Sequence, residues 1–114
     1  MDSEIIRQIP LFSNLHENEI INMVKASKAY HCQPGEVVLR EGDASDYFYI
    51  LLEGEVEIIK SFGTSDERVL GISKRGSILG EMSKFSQDGT HTATGRANTP
   101  CRLLRVPFAW LDSL

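Results

Sequence analysis

The sequence predicts a mainly β domain, a sandwich or barrel of many short strands, with helices at both ends. Three observations carry this. All nine glycines lie between Gly35 and Gly95, and the flanks have none. Glycine supplies the positive φ that tight turns need, so turns recur every few residues in the middle of the chain. Short apolar runs with strand character separate those turns, whereas the N-terminal flank spaces its apolar residues as a helix does.

The elements follow in order. Ile5, Ile6, Ile9, Leu11 and Phe12 surround Pro10 and predict a short helix and a turn. Asn14 followed by Glu17 has capping-box spacing, and Ile20, Met23, Val24 and Ser27 then share one helical face. In Glu36–Arg40, Val37 and Leu39 fall on one strand face. Tyr47–Leu52 is apolar on both faces, as a buried strand is. Gly54–Lys60 alternates, which points Val56 and Ile58 inward and Glu55 and Glu57 outward. Residues 61–66 read as a turn. Arg68–Ile72, Thr92–Ala97 and Cys101–Val106 read as further strands. Pro107 suits the first position of a closing helix that holds Phe108, Trp110, Leu111 and Leu114.

Composition narrows the function. The chain has 114 residues, 41% of them hydrophobic and 25% charged, with a net charge of −4. Those values fit one folded domain and leave no room for a separate cofactor domain. The acidic balance argues against a nucleic-acid binder. No secretory signal and no apolar run of membrane-spanning length occur. Cys32 and Cys101 are too few for a disulfide framework and read as reduced thiols of a cytoplasmic protein. His16, His31 and His91 lack metal-ligand spacing, so no metal is expected. No Ser or Cys has the setting of a nucleophile, so no enzyme is expected. Glu53, Glu55 and Glu57 read as a solvated acidic row. Phe48, Tyr49, Phe62, Phe85 and Trp110 read as core.

Two motifs, in order, carry a family likeness. The first is Pro34–Asp43 followed by Phe48–Leu51 and Gly54–Val56. The second is Gly76–Ser83. Together they resemble the cyclic nucleotide-binding domain, the sensor of catabolite-activator-type transcription factors, protein kinase A regulatory subunits and cyclic-nucleotide-gated channels. The resemblance implies a jelly-roll-like double-stranded β-helix, the cyclic nucleotide-binding β-roll. It divides the single domain 1–114 into N-terminal helices (1–28), the β-roll (29–106) with a phosphate-cassette-like loop (80–94), and the start of a C-terminal helix (107–114). It also implies that the long final helix, which in the family covers the base, is cut short, as in a fragment or a minimal stand-alone sensor.

The resemblance implies a binding site for cyclic AMP or cyclic GMP at Gly80, Glu81, Met82, Ser83, His91, Thr92 and Ala93. Amides after Gly80 suit a phosphate, Ser83 adds a hydroxyl, and Glu81 matches the carboxylate that accepts from the ribose hydroxyl. The family's phosphate-gripping Arg is missing. With Ala93-Thr94 aligned, its position holds His91, in a loop about one residue longer than usual. Thr92 matches a position whose hydroxyl in the family often meets a guanine amino group. Lys84 and Gly95 are further departures, and Lys84 is a second candidate cation. Arg96 is expected to face outward from its strand. Without the resemblance, Glu81 is a helix cap, His91 a solvated loop histidine and Thr92 an ordinary strand residue.

The expected function is a regulatory module that senses a cyclic nucleotide and passes binding to an output domain or partner protein. No further cofactor is expected, and no nucleic acid would be bound by this chain alone. The alternative is a degenerate domain of the same fold that takes another small anion, or none, and acts through protein contacts.

Overall fold

A computed structural model describes residues 2–81 and 88–114. Met82 and Ser83, two of the expected site residues, lie outside the described residues, as do Lys84 and Phe85. Two helices, α1 (Asp2–Gln8) and α2 (Glu17–Ala26), flank a 3-10 turn at Pro10–Phe12. Eight strands follow: β1 (Lys28–Cys32), β2 (Val37–Leu39), β3 (Tyr47–Glu53), β4 (Val56–Lys60), β5 (Arg68–Ser73), β6 (Ile78–Leu79), β7 (Thr94–Ala97) and β8 (Cys101–Pro107). A last helix, α3, spans Phe108–Asp112.

The strands form two four-stranded sheets, ordered β1-β8-β3-β6 and β2-β7-β4-β5, and neighbouring strands run antiparallel. Strand periodicity sorts the core into two layers. From β3, Tyr49 and Leu51 join Cys101 and Leu103 of β8, Val38, Val56 and Ala97 in one buried cluster, which draws on both sheets. Phe48, Ile50 and Leu52 point the other way and meet Ile6, Phe12, Ile20, Met23, Phe108 and Trp110 of the helical ends. The first sheet is therefore buried on both faces at β3, which is why Tyr47–Leu52 reads as continuously apolar.

Several local expectations need correction. The capping pair of α2 is not Asn14 and Glu17. The Leu15 N–H bonds the Phe12 carbonyl at 3.2 Å, which keeps Asn14 in a turn. His16 is the N-cap, and its N–H donates to Glu19 Oε1 at 2.9 Å. In β4 a register shift between Ile58 and Ile59 breaks the alternation, so Val56 and Ile59 are fully buried and Ile58 is half-buried. A bulge of this kind turns consecutive side chains to new directions. In β2 a register shift leaves Val38 as the buried residue. Thr92 precedes β7 instead of opening it. Glu53, Glu55 and Glu57 do not form one row, because Gly54 turns the chain at φ +97° between the two sheets. Glu53 pairs with Arg102 at 3.1 Å and Glu57 with Arg96 at 2.7 Å. Phe62 is half-buried beneath the Arg96 guanidinium, 5.3 Å from the ring centre, and is absent from both core clusters.

Cys32 and Cys101 are free, buried and opposite each other in the β1–β8 register. Burial, with Glu36 and Cys101 nearby, pushes the Cys32 thiol up to about 11. No described helix is long and apolar enough to cross a membrane.

Gly54 shows how tightly the strand ends pack. A Cβ there would run into the Pro100 carbonyl oxygen and come within 2.8 Å of Cys101 Sγ. Gly63 also has a positive φ, +81°, but a Cβ there would meet open space. Gly63→Ala should therefore cost only the backbone strain of about 1–3 kcal/mol. Gly54→Ala should cost clearly more than Gly63→Ala in urea denaturation of the two variants.

Candidate functional site

The site begins where β6 ends. Ile50 and Tyr49 of β3 pair with Ile78 and Leu79. The Leu51 N–H donates to the Ser77 carbonyl at 2.9 Å and the Gly76 N–H donates to the Leu51 carbonyl at 2.8 Å. The buried strand thus fixes the path into Gly80. Gly80 then turns at φ +82°, a conformation that side chains disfavour. Closeness also favours glycine here, because a Cβ would lie 3.1 Å from His91 Cε1 and 3.3 Å from Leu39 Cδ2, and both side chains would have to give way.

The second wall is the segment from Thr90 to Thr94, pinned from two directions. Toward the β2–β3 connection, the His91 N–H donates to the Asp43 carbonyl at 3.0 Å and the Gly42 N–H to the His91 carbonyl at 2.9 Å. Thr90 forms a bridge with Ala44. The Glu41 N–H donates to Oγ1 of the buried Thr94 at 3.1 Å. From the end of β4, Lys60 Nζ donates to the Thr92 carbonyl at 2.8 Å and pairs with Glu41 Oε2 at 2.9 Å. Glu41 Oε1 accepts from the Ser61 N–H at 2.9 Å. The Lys60 hydrogen bond, then the Ser61 N–H, hold the Glu41 carboxyl below its ordinary value.

Between these walls opens a cleft of about 180 Å³. Leu39, Ile58, Ile78 and Leu79 supply its apolar lining, and Gly80, Glu81, His91, Thr92 and Ala93 its other side chains and backbone, with Ser73 at one edge. Five of the seven expected site residues therefore meet in one place. Glu81 is half-buried, and Thr92 is exposed.

His91 is not a solvated loop residue. It is only 6% exposed, and its Nδ1 is buried with no hydrogen-bond partner. Burial lowers its pKa from the ordinary 6.5, while the Asp43 carboxylate acts in the opposite direction. Among the described lining residues there is no Lys or Arg. Arg96 does turn outward, to Glu57 and Phe62, and Lys60 is committed to Glu41 and Thr92. Gly95, the other unusual residue, allows close packing: a Cβ there would lie 3.2 Å from Val56 Cγ1. Among the described residues no group of three His, Cys, Asp or Glu is placed to hold a metal.

Sequence reasoning missed Glu41, Asp43, Lys60 and Thr94, which position the 90–94 segment. Glu41 and Lys60 are nineteen residues apart and belong to no local pattern. Only pairing of the β2–β3 connection, β4 and β7 brings them together.

The architecture is that of a double-sheet β-roll with a glycine-gated, carboxylate-bearing cleft. The chain matches the sequence model described as "Cyclic nucleotide-binding domain" over residues 30–114, and it belongs to that family. It is 34% identical over 107 residues to the potassium channel AKT2 of Oryza sativa subsp. japonica, covering 94% of this chain and 12% of that protein. It is also 34% identical over 93 residues to a cAMP-dependent protein kinase regulatory subunit of Yarrowia lipolytica, covering 82% of this chain and 23% of that one. Among solved structures it resembles the regulatory subunit of a cAMP-independent protein kinase A from Trypanosoma brucei, a triple mutant bound to cAMP in its A site. The TM-score is 0.81 at 22% identity, with 91% of this chain and 38% of that one covered. The chain thus spans less than a quarter of the length of either of these curated relatives.

Lys60 is the pin whose loss should be most local. Lys60→Ala should speed hydrogen exchange of the His91 and Gly42 amides while costing under about 1 kcal/mol overall, as expected of a half-exposed pair. The Glu41 contribution is complete above its ordinary value of 4.5 and is lost as pH falls through its lower folded value. Lys60→Ala should therefore remove part of the acid sensitivity of denaturation below that pH.

Proposed function

We propose that this domain is a cytoplasmic sensor of cyclic AMP or cyclic GMP, without catalysis of its own, that reports binding to an attached output domain or a partner protein. The observation that carries the reading is the convergence of Gly80, Glu81, His91, Thr92 and Ala93 on one cleft. Amides following Gly80 suit the cyclic phosphate, with Met82 and Ser83 continuing that stretch in sequence. The Glu81 carboxylate accepts from the ribose 2′-hydroxyl. His91 stands on the phosphate side, where the family places a cation, and Thr92 offers a hydroxyl toward the base. The regulatory step follows from differential affinity: ligand shifts the elements around the 80–94 loop only by as much as it prefers one arrangement over the other.

A second reading rests on the same lining. Its described residues hold no permanent cation, and this reading makes the domain a degenerate member that takes another small anion, or none, and acts through protein contacts. The trypanosome neighbour is described as cAMP-independent, and one of the three substitutions in its cAMP-bound form introduces an arginine.

Isothermal titration with both nucleotides separates the two readings. Under the first, both variants of the carboxylate and cation positions move affinity. Glu81→Ala should weaken binding by about 10- to 100-fold, the loss of one charge-assisted hydrogen bond. His91→Arg should strengthen it by roughly 10- to 200-fold. Arg96→Ala should leave it within about threefold, because Arg96 holds Glu57 outside the cleft. Absence of heat at millimolar nucleotide in the wild type and in His91→Arg would overturn the first reading.

A further inference from the structure

Among the described residues, one buried side-chain nitrogen or oxygen lacks a hydrogen-bond partner, and it is His91 Nδ1. Buried polar groups in native proteins are paired as a rule, and an unpaired one calls for a reason. Its surroundings supply one. The residue is only 6% exposed and its ring lies against Gly80, where a Cβ would sit 3.5 Å from Nδ1. That is the point at which the chain leaves β6 and enters the cleft wall. His91 lines the cleft, with its backbone fixed at its own N–H and carbonyl and the unpaired nitrogen beside Gly80.

We propose that His91 is a proton-coupled anion ligand: an anion enters the cleft together with one proton from solvent, which converts the neutral imidazole into a charged donor toward it. The inference rests on the anion-binding reading of the cleft given above. No covalent bond forms or breaks. The proton comes from water or buffer, and it returns there when the anion leaves.

The charges around the ring favour this exchange. From the β2–β3 connection, Asp43 faces His91 and favours its protonated form. Glu41 of that connection is occupied by Lys60 and the Ser61 N–H. Arg40 precedes it in the same connection. From β4, Lys60 is bound to Glu41 and to the Thr92 carbonyl, which limits its repulsion of a second cation. From the end of β6, Glu81 shares the cleft. In its own loop Asp88 accepts from Thr90. The β2 and β6 residues on the lining, Leu39, Ile78 and Leu79, carry no charge. Burial is what keeps the free ring neutral, and a bound anion offsets that burial.

The sign follows from linkage. The free ring titrates below its ordinary value, and an anion raises it. Between the two values, binding takes up a proton, and affinity rises as pH falls, by at most about tenfold per pH unit for one proton. A permanent guanidinium at the same place would give no such slope.

The test uses cyclic AMP and cyclic GMP as probes in isothermal titration from about pH 8 to about pH 6, in non-phosphate buffers of different ionisation enthalpy. The wild type should take up about one proton per ligand and bind up to tenfold tighter per pH unit. His91→Arg should bind with no uptake and a flat profile, and His91→Gln should bind weakly and flatly. Thermal melts of both variants show whether each is folded, and either one suffices for the comparison. Wild-type binding with no proton uptake would overturn the inference and leave the cyclic nucleotide reading standing. Binding by His91→Arg alone would show that His91 is no anion ligand and favour the degenerate reading. Binding by none of the folded proteins would overturn both.

Discussion

The structure depends on β3 being buried on both faces. Its alternate residues bind the two sheets together on one side and hold the helical ends on the other. The β6 wall of the cleft is referenced to that strand. β6 is only two residues long and gains its position by pairing with Tyr49 and Ile50. Gly80 follows directly, so the direction of the chain into the cleft is set by the most buried strand of the fold. Functional backbone is thereby placed on a rigid support, which is what a site that must discriminate small displacements needs.

The opposite wall has a different kind of support. Residues 90–94 are held by polar contacts with the β2–β3 connection and with β4, not by core packing alone. Polar contacts at a partly exposed place are individually weak and can rearrange. The 90–94 wall therefore rests on weaker individual contacts than the β6 wall. The 90–94 side is continuous with β7, and β7 pairs with both β2 and β4.

Much of this was legible in the sequence. The both-face apolarity of Tyr47–Leu52 marked the central strand, and the glycine distribution marked the turns. The Gly76–Ser83 motif picked out Gly80 and Glu81, and alignment on Ala93-Thr94 picked out His91, all three of which line the cleft. The outward Arg96 followed from the few residues left for a strand after it and from the place of Pro100. What the sequence hid is non-local. The β4 bulge at Ile58 and Ile59 has no signature in a run of apolar and charged residues. The His16–Glu19 cap has the same three-residue spacing as Asn14–Glu17, and only the turn through Phe12 and Leu15 decides between them. The burial of His91 depends on a contact with Gly80 eleven residues away and on two backbone bonds to the 42–43 stretch. Neither is a sequence pattern.

The central claim is that a histidine has taken the cation position of a cyclic nucleotide cleft and still serves it. The most direct measurement is the nuclear magnetic resonance spectrum of the domain during titration with cyclic AMP. It follows the backbone amides together with the ring nitrogens of His91. The account predicts that the earliest and largest shifts fall on Gly80, Glu81, Thr92 and Ala93, with the His91 ring moving at the same ligand concentration. A silent His91 ring would contradict it. So would shifts confined to the exposed outer strand at Val69, Leu70 and Ile72, or to the far end of the roll at Cys32 and Cys101.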